Sequence, residues 1–313
     1  MIIDMHIHLW HPTYIPDPMR YAWARLAANR RYPYKNPDDI YPKVSVAYAD
    51  PDGTYTLKEM EQAGIDASVS MLVDYSIVAG EEAKVPLVKV MESYSRLQER
   101  YEGRLYAFAA VDPRREDALQ IFDYAIRDLG LKGLKLYPAA GFYPSDDVCT
   151  PLYEKCLEWN VPVVYHTSYV QYPLIQKYTH PIHISDVQAR YPDLQIILAH
   201  AGKGPWWQDA VIVAAGHPNT YLELSMWSET AFHDLEDFIR KLAYMRDHVG
   251  AHKILFASDN CAGTATEGEK SWLPRWVQVF RDLPETSSKY GISFSREEVG
   301  LILGGNGKRI LGL

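Results

Sequence analysis

Residues 2–9 read Ile-Ile-Asp-Met-His-Ile-His-Leu, and the fold turns on how that stretch is taken. The apolar, β-branched run over 2–7 reads as a strand, in which alternate side chains share a face. Ile3, Met5, Ile7 and Leu9 then point one way and Asp4, His6 and His8 the other. Two residues along a strand advance by roughly 6.6–7 Å, so the imidazoles of His6 and His8 can converge on one ion. A pair of hydrogen-bonded core histidines is the plainer alternative. An H-x-H that ends a first strand, with more polar strand ends downstream, points instead to a metal.

Outward from this stretch, seven further short runs are rich in apolar and β-branched residues: 67–73, 105–111, 131–137, 161–167, 195–201, 220–226 and 253–258. Helix-like segments lie between most of them, as at 85–101, 116–129 and 235–248. Strands alternating with helices imply βαβ units and a parallel sheet, and eight such units close a barrel. The expected fold is an α/β chain with a (β/α)8 TIM barrel. It forms one domain over 1–313 and ends in a helix at 295–311, where Ser295 and Glu298 have capping-box spacing. An open doubly wound sheet would carry G-x-G-x-x-G after its first strand, and that turn is absent.

The other runs end in residues that carry chemistry. His166 closes the fifth, His200 the sixth and Asp259 the eighth. Active-site groups of barrels come from the C-terminal ends of several strands. Imidazole plus carboxylate with an open position suits Zn²⁺, Fe²⁺ or Mn²⁺. Lys135, between Leu134 and Leu136, should face the barrel mouth with Tyr137. It could bind a substrate carboxylate, be carboxylated and bridge two metals, or pair inside the barrel with Glu223. His180, His183 and His11 could line the pocket, whereas His217, His233, His248 and His252 read as surface. Cys261 reads as a small wall residue. No G-x-S-x-G elbow or P-loop appears.

About fifty residues, 9–56, separate the first run from the second and are rich in Trp, Tyr, Pro and Arg. Connections this long are often lids or binding loops. Over 10–55 the reading is a lid on the catalytic face, an arm against a neighbouring subunit, or both. Its arginines (Arg20, Arg25, Arg30 and Arg31) could hold a substrate carboxylate, and Trp10, Trp206, Trp207 and Trp227 could form an aromatic wall.

Composition narrows the function classes. Net charge is −8, with no basic stripe for nucleic acid. Hydrophobic residues make up 47% and charged residues 23%, which is ordinary globular usage. Three cysteines, Cys149, Cys156 and Cys261, give no disulfide framework and suit a cytoplasmic protein. No run reaches the ~20 apolar residues that span a bilayer, and the first residues do not read as a signal peptide.

These motifs together resemble the amidohydrolase superfamily, and most closely its amidohydrolase-related branch, which includes aminocarboxymuconate semialdehyde and γ-resorcylate decarboxylases. D-M-H-I-H at 4–8, E-x-x-G-I-D from Glu61, G-L-K-L-Y-P at 133–138, A-H-A-G at 199–202, F-A-S-D at 256–259 and N-G-K-R-I-L-G-L at 306–313 carry the likeness in order. The resemblance implies a divalent metal, zinc before Mn or Fe, on His6, His8, His166 and Asp259. His200 stands beside it as a catalytic residue or, in a binuclear site, as a ligand of the second ion. One ion is the expected number, two the alternative. One departure stands out: after Asp259 the branch often has an aromatic residue and proline, where this chain has Asn260-Cys261-Ala262-Gly263. The expected activity is hydrolysis of a small carboxylated substrate, with His200, Asp259 and Lys135 catalytic. The alternatives are non-oxidative decarboxylation, dinuclear iron oxygenation and a structural role in a larger complex. The expected partners are a small-molecule substrate and further copies of the chain in a dimer or tetramer, with a hetero-oligomer as the alternative. Nucleic acid and membrane are not expected.

Overall fold

Strand β1, Ile3–His8, is buried throughout, and it begins a sheet in which every pairing is parallel. The computed structural model describes residues 1–30 and 32–313. Strands β2 (Ala67–Met71), β3 (Leu105–Ala110), β4 (Leu134–Leu136), β5 (Val163–His166), β6 (Ile196–Ala199), β7 (Thr220–Glu223) and β8 (Ile254–Leu255) follow, each beside its predecessor. A last short strand, β9 (Asn260–Cys261), pairs back onto β1.

The eighth run is therefore broken into two pieces rather than continuous over 253–258. Its first piece bonds β7 and its second bonds β1. Between them Met5 N–H donates to Phe256 O (3.0 Å) and Asp259 N–H to His6 O (2.8 Å). One segment bonded on both sides closes the ring, and the chain is a (β/α)8 TIM barrel with a long insertion after its first strand.

Alternation along the strands sorts side chains into two sets. Val163, Tyr165, Ile196, Leu198, Leu134 and Leu136 meet the helices. Val69, Phe108, Val164, Ile197, Tyr221 and Leu255 fill the interior. The helices show matching stripes: Leu87–Arg100 buries Leu87, Val90, Met91, Tyr94 and Leu97, three to four residues apart.

Strand β1 departs from simple alternation. Its register against β2 shifts between Asp4 and Ile7. Ile3 and Met5 lie in the interior, while Ile7 and Leu9 face the helices. The expected division of β1 into two constant faces fails for this reason. A bulge inserts one residue and re-aims the side chains beyond it, so that Met5 and His6 both serve the inside. The Asp4 carboxylate secures the bulge, accepting from His6 N (3.2 Å), Ser258 N (2.9 Å) and Ser258 Oγ (2.5 Å).

At the end where the strands begin, the C-terminal helix forms the floor. Arg296–Gly300 carries the Ser295–Glu298 capping box, Leu301–Gly305 opens into a π turn, and Asn306–Leu311 resumes the α geometry. The π turn leaves Ile302 O free to accept from Phe256 N (2.9 Å).

At the opposite end, His200, Met226 and Asp259, which follow β6, β7 and β8, all hold left-handed backbone at φ 66°. The insertion folds over this end. Trp10 bridges to Ala49, and Asp50 N donates to Trp10 O (2.9 Å). Farther along the chain, Ala265 N donates to Ala47 O (2.9 Å).

Candidate metal centre

The ends of β1, β2, β4, β5, β6 and β8 open on a cavity of about 200 Å³ lined by His6, His8, Trp10, Trp23, Val73, Tyr75, Lys135, Tyr137, His166, His200, Asp259 and Cys261. All six residues singled out from the sequence as catalytic or metal-binding line this one cavity.

His6 and His8 are each held by their inner nitrogen. His6 Nδ1 lies 2.7 Å from Glu223 Oε2, and His8 Nδ1 lies 2.7 Å from Met71 O. Both rings thereby turn Nε2 toward Asp259, whose Oδ1 is 3.5 Å from His6 Nε2 and 3.2 Å from His8 Nε2. An imidazole whose other nitrogen is fixed by a carboxylate or carbonyl is the usual arrangement of a metal-binding histidine. The ligand atoms of His6, His8 and Asp259 lie within 4.8 Å of one another. His166 stands outside that trio. Its Nδ1 is 2.9 Å from His200 Nε2, and its Nε2 is buried with no partner.

His200 has both nitrogens engaged, the second with Ser225 Oγ at 2.7 Å. Ser225 also donates to Glu223 Oε2 at 2.9 Å. Sequence reasoning placed Glu223 inside the barrel but missed Ser225. The alternation Tyr221, Glu223, Ser225, carried two residues past β7, is the signal that finds it.

Burial sets the electrostatics. It holds His6, His166 and His200 well below the ordinary imidazole range, with the Lys135 charge adding to this at His6 and neighbouring imidazoles adding to it at His200. Neutral imidazoles are the form that binds a metal. Burial also lowers Lys135 to about 8, against the pull of Glu223 and Asp259, and lifts Glu223 to about 7 against its Ser225 hydrogen bonds. Burial opposes the charge of Asp259 too, but the His8 hydrogen bond and the nearby His6, His8 and Lys135 hold it below the usual carboxylate range. Among the described residues no carboxylate lies within 4.0 Å of Lys135 Nζ, and the nitrogen has no hydrogen-bond partner. The direct pair with Glu223 is absent because that carboxylate is taken by His6 and Ser225.

The aromatic wall differs from the expected one. Trp10 and Trp23 line the cavity and, with Ser45, Tyr48 and Trp272, an adjoining space of about 370 Å³. Trp227 is buried, donating to His200 O at 2.8 Å, and Trp207 packs on Trp227 and Tyr244. Trp206 stands beside His180 instead. Arg20 is buried against Tyr41 and Asp17, and Arg25 is exposed over Tyr172, so neither lines the cavity. Arg30 is exposed, and Arg31 lies outside the described residues. His11, His180 and His183 also stand away from it, bonded to Thr13, Asp209 and the Lys177 carbonyl. Cys261 is a wall residue, with Trp10 Nε1 donating to its sulfur at 2.9 Å.

The family described as Amidohydrolase matches residues 3–313. No curated protein matches the chain. Among solved structures, an uncharacterized TIM-barrel protein from Bordetella bronchiseptica is 20% identical, with 99% of this chain and 98% of that one covered and a TM-score of 0.66. A 5-carboxyvanillate decarboxylase from Novosphingobium aromaticivorans, with bound manganese and a hydroxy-methoxy-nitrobenzoic acid, is 14% identical (coverage 100% and 97%, TM-score 0.68). A probable 2-pyrone-4,6-dicarboxylic acid hydrolase from Acinetobacter baumannii, with citric acid bound, is 12% identical (coverage 100% and 99%, TM-score 0.61). At these identities the likeness carries the fold.

Proposed function

The chain belongs to the amidohydrolase family and is an enzyme, and from that premise we propose that it is a metal-dependent hydrolase acting on a small carboxylated substrate through activated water. One observation carries this reading. His6 Nε2, His166 Nε2 and Lys135 Nζ are all buried without partners, and their residues line one cavity. A buried polar atom with no partner costs about 1–3 kcal/mol, which a ligand relieves.

His6, His8, His166 and Asp259 would hold a divalent ion. Three imidazoles and a carboxylate suit Zn²⁺, our preferred ion, and also accept Mn²⁺ or Fe²⁺. When bound, such an ion supplies Lewis acidity, which brings the pKa of water toward ~7 and polarises a carbonyl. Asp259, ionised beside two imidazoles, takes the proton from water and returns it to the leaving group. Lys135 offers three unspent N–H donors to a substrate carboxylate. Trp10, Trp23, Tyr75 and Tyr137 keep the cavity apolar around these charges. His200 reaches the substrate by giving up its bond to His166, and its freed Nε2 can accept a proton there. One ion is favoured over two, since a second ion on His200 would have to displace one of its two hydrogen bonds.

Decarboxylation on the same ligands is the second reading, favoured by the structural likeness to a manganese-bound decarboxylase. The test begins with elemental analysis of the protein after equilibration with Zn²⁺ or Mn²⁺. Uptake of one ion per chain, lost in His6→Ala and His8→Ala variants that still fold, is the expected result. No uptake overturns both readings. Turnover is then followed on lactones, amides and aromatic acids. A new acid without CO₂ identifies the hydrolase, and release of CO₂ the decarboxylase.

A further inference from the structure

Four hydrogen bonds run in one line through the floor of the cavity. They join His6 Nδ1 to Glu223 Oε2 (2.7 Å), Glu223 Oε2 to Ser225 Oγ (2.9 Å), Ser225 Oγ to His200 Nδ1 (2.7 Å) and His200 Nε2 to His166 Nδ1 (2.9 Å). All five residues are buried. We propose that Glu223 and Ser225 are positioning residues that set, through this chain, which nitrogen of His6, His200 and His166 carries the proton. The proposal deepens the metal reading and rests on it for its purpose, though not for its geometry.

The direction of every bond is set by one carboxylate. Ser225 N–H donates to Glu223 Oε1. The other oxygen meets two groups, and a carboxylate has no proton to give, so both must donate to it. His6 therefore carries its proton on Nδ1, and the single hydroxyl proton of Ser225 is spent on Glu223. Ser225 Oγ can then only accept, so His200 carries its proton on Nδ1. A neutral imidazole has one N–H, and His200 Nε2 is left as a lone pair. His166 must donate to it through Nδ1, which leaves its own Nε2 bare.

The count ends with lone pairs on His6 Nε2 and His166 Nε2. Among the described residues, these are the two ring nitrogens in the cavity that are buried and have no partner. Ligand-type atoms of His6, His200 and Glu223 also lie within 4.8 Å of one another. The hydrogen bonds already occupy them, so this trio reads as the relay and not as a second ion site.

Glu223→Gln tests the idea with almost no change of shape. Ser225 N–H still needs an acceptor, so the amide oxygen takes that side and the NH₂ group faces His6 and Ser225. Every bond then reverses: His6, His200 and His166 all move their protons to Nε2. The measurement is long-range ¹H–¹⁵N correlation on ¹⁵N-histidine-labelled protein at pH 8, which distinguishes the two tautomers of each ring. The expected spectrum of the metal-free wild type has all three rings protonated on Nδ1. Glu223→Gln moves all three to Nε2. Ser225→Ala frees His200 and His166 and leaves His6 as in wild type, and Ser225→Thr, which keeps the hydroxyl, restores the wild-type pattern. Zn²⁺ affinity, read by chelator competition, should fall about 10–100-fold in Glu223→Gln. Wild-type protein with His6 or His166 protonated on Nε2, or a folded Glu223→Gln with unchanged tautomers, overturns the proposal. Tautomers as derived in a protein that takes up no ion would uphold the chain and sink the metal reading instead.

Discussion

At Lys135 the barrel keeps an ammonium 2% exposed with nothing to bond. Lys135→Met fills nearly the same space without a charge. Burying a charge costs stability, so this variant should melt no lower than wild type, measured by calorimetry. A hydrogen bond to a charged group contributes about 1.5–3 kcal/mol, so kcat/KM for an acid substrate should fall roughly 10–100-fold, since ~1.4 kcal/mol is tenfold. The matched neutral ester or amide should lose little. Equal losses for both substrates would take Lys135 out of carboxylate recognition.

At the scale of elements, the departure from the family's pattern after Asp259 finds its physical reason. Asn260, Thr266 and Ser271 all donate to the buried Glu59 carboxylate, which ties this loop down. A Cβ on Gly263 would collide with Ala47 O. The small residues let the insertion rest on the loop and present Tyr48 to the space adjoining the cavity. Gly263→Ala should therefore keep its metal and raise KM by pushing Ala47 and Tyr48 away; an unchanged KM would show that this wall does not touch substrate. A second tie joins the loops after β2 and β3. The Asp74 carboxylate accepts from Arg115 Nε (2.6 Å), Asp112 N (2.8 Å) and Ser76 Oγ (2.7 Å). Burial alone would raise its pKa, but Arg115 and these donors lower it. A carboxyl depressed in the folded state adds stability above its unfolded value and loses it as pH falls through the folded one. Asp74→Ala should cost about 3–5 kcal/mol at pH 7, and the gap from wild type should narrow in acid melts. A gap that does not narrow would deny the linkage. The repeating parts of the fold were legible because period and polarity agree there: the strand runs, the capping box at Ser295 and the polar strand ends. What escaped depends on single insertions and tertiary contact. The β1 bulge changes parity without any signature in D-M-H-I-H. Half-buried Trp207 and buried Trp227 are placed by Tyr244 and Phe238 of the helix Leu235–Val249, a contact that no local pattern reveals.

For the whole molecule, an ion bound only by the native state stabilises it by mass action, ~2.7 kcal/mol at a hundred times Kd. With ~2 °C per kcal/mol for a large domain, saturating Zn²⁺ should raise Tm by about 5 °C in wild type and leave His8→Ala unmoved. A variant that shifts as much as wild type would place the ion elsewhere. The left-handed residues at the ends of β6, β7 and β8 bear on a different property, the capacity of this enzyme to acquire new substrates. Such backbone on a residue with a side chain costs about 1–3 kcal/mol, and Met226, one of the three, also walls a space of about 310 Å³ next to Asp259. Glycine at 226 relaxes the chain and widens that space in one step. The stability so released can absorb a costlier replacement nearby. New specificities should therefore arise first on the Met226 side of the mouth, where one substitution both enlarges the pocket and offsets the next.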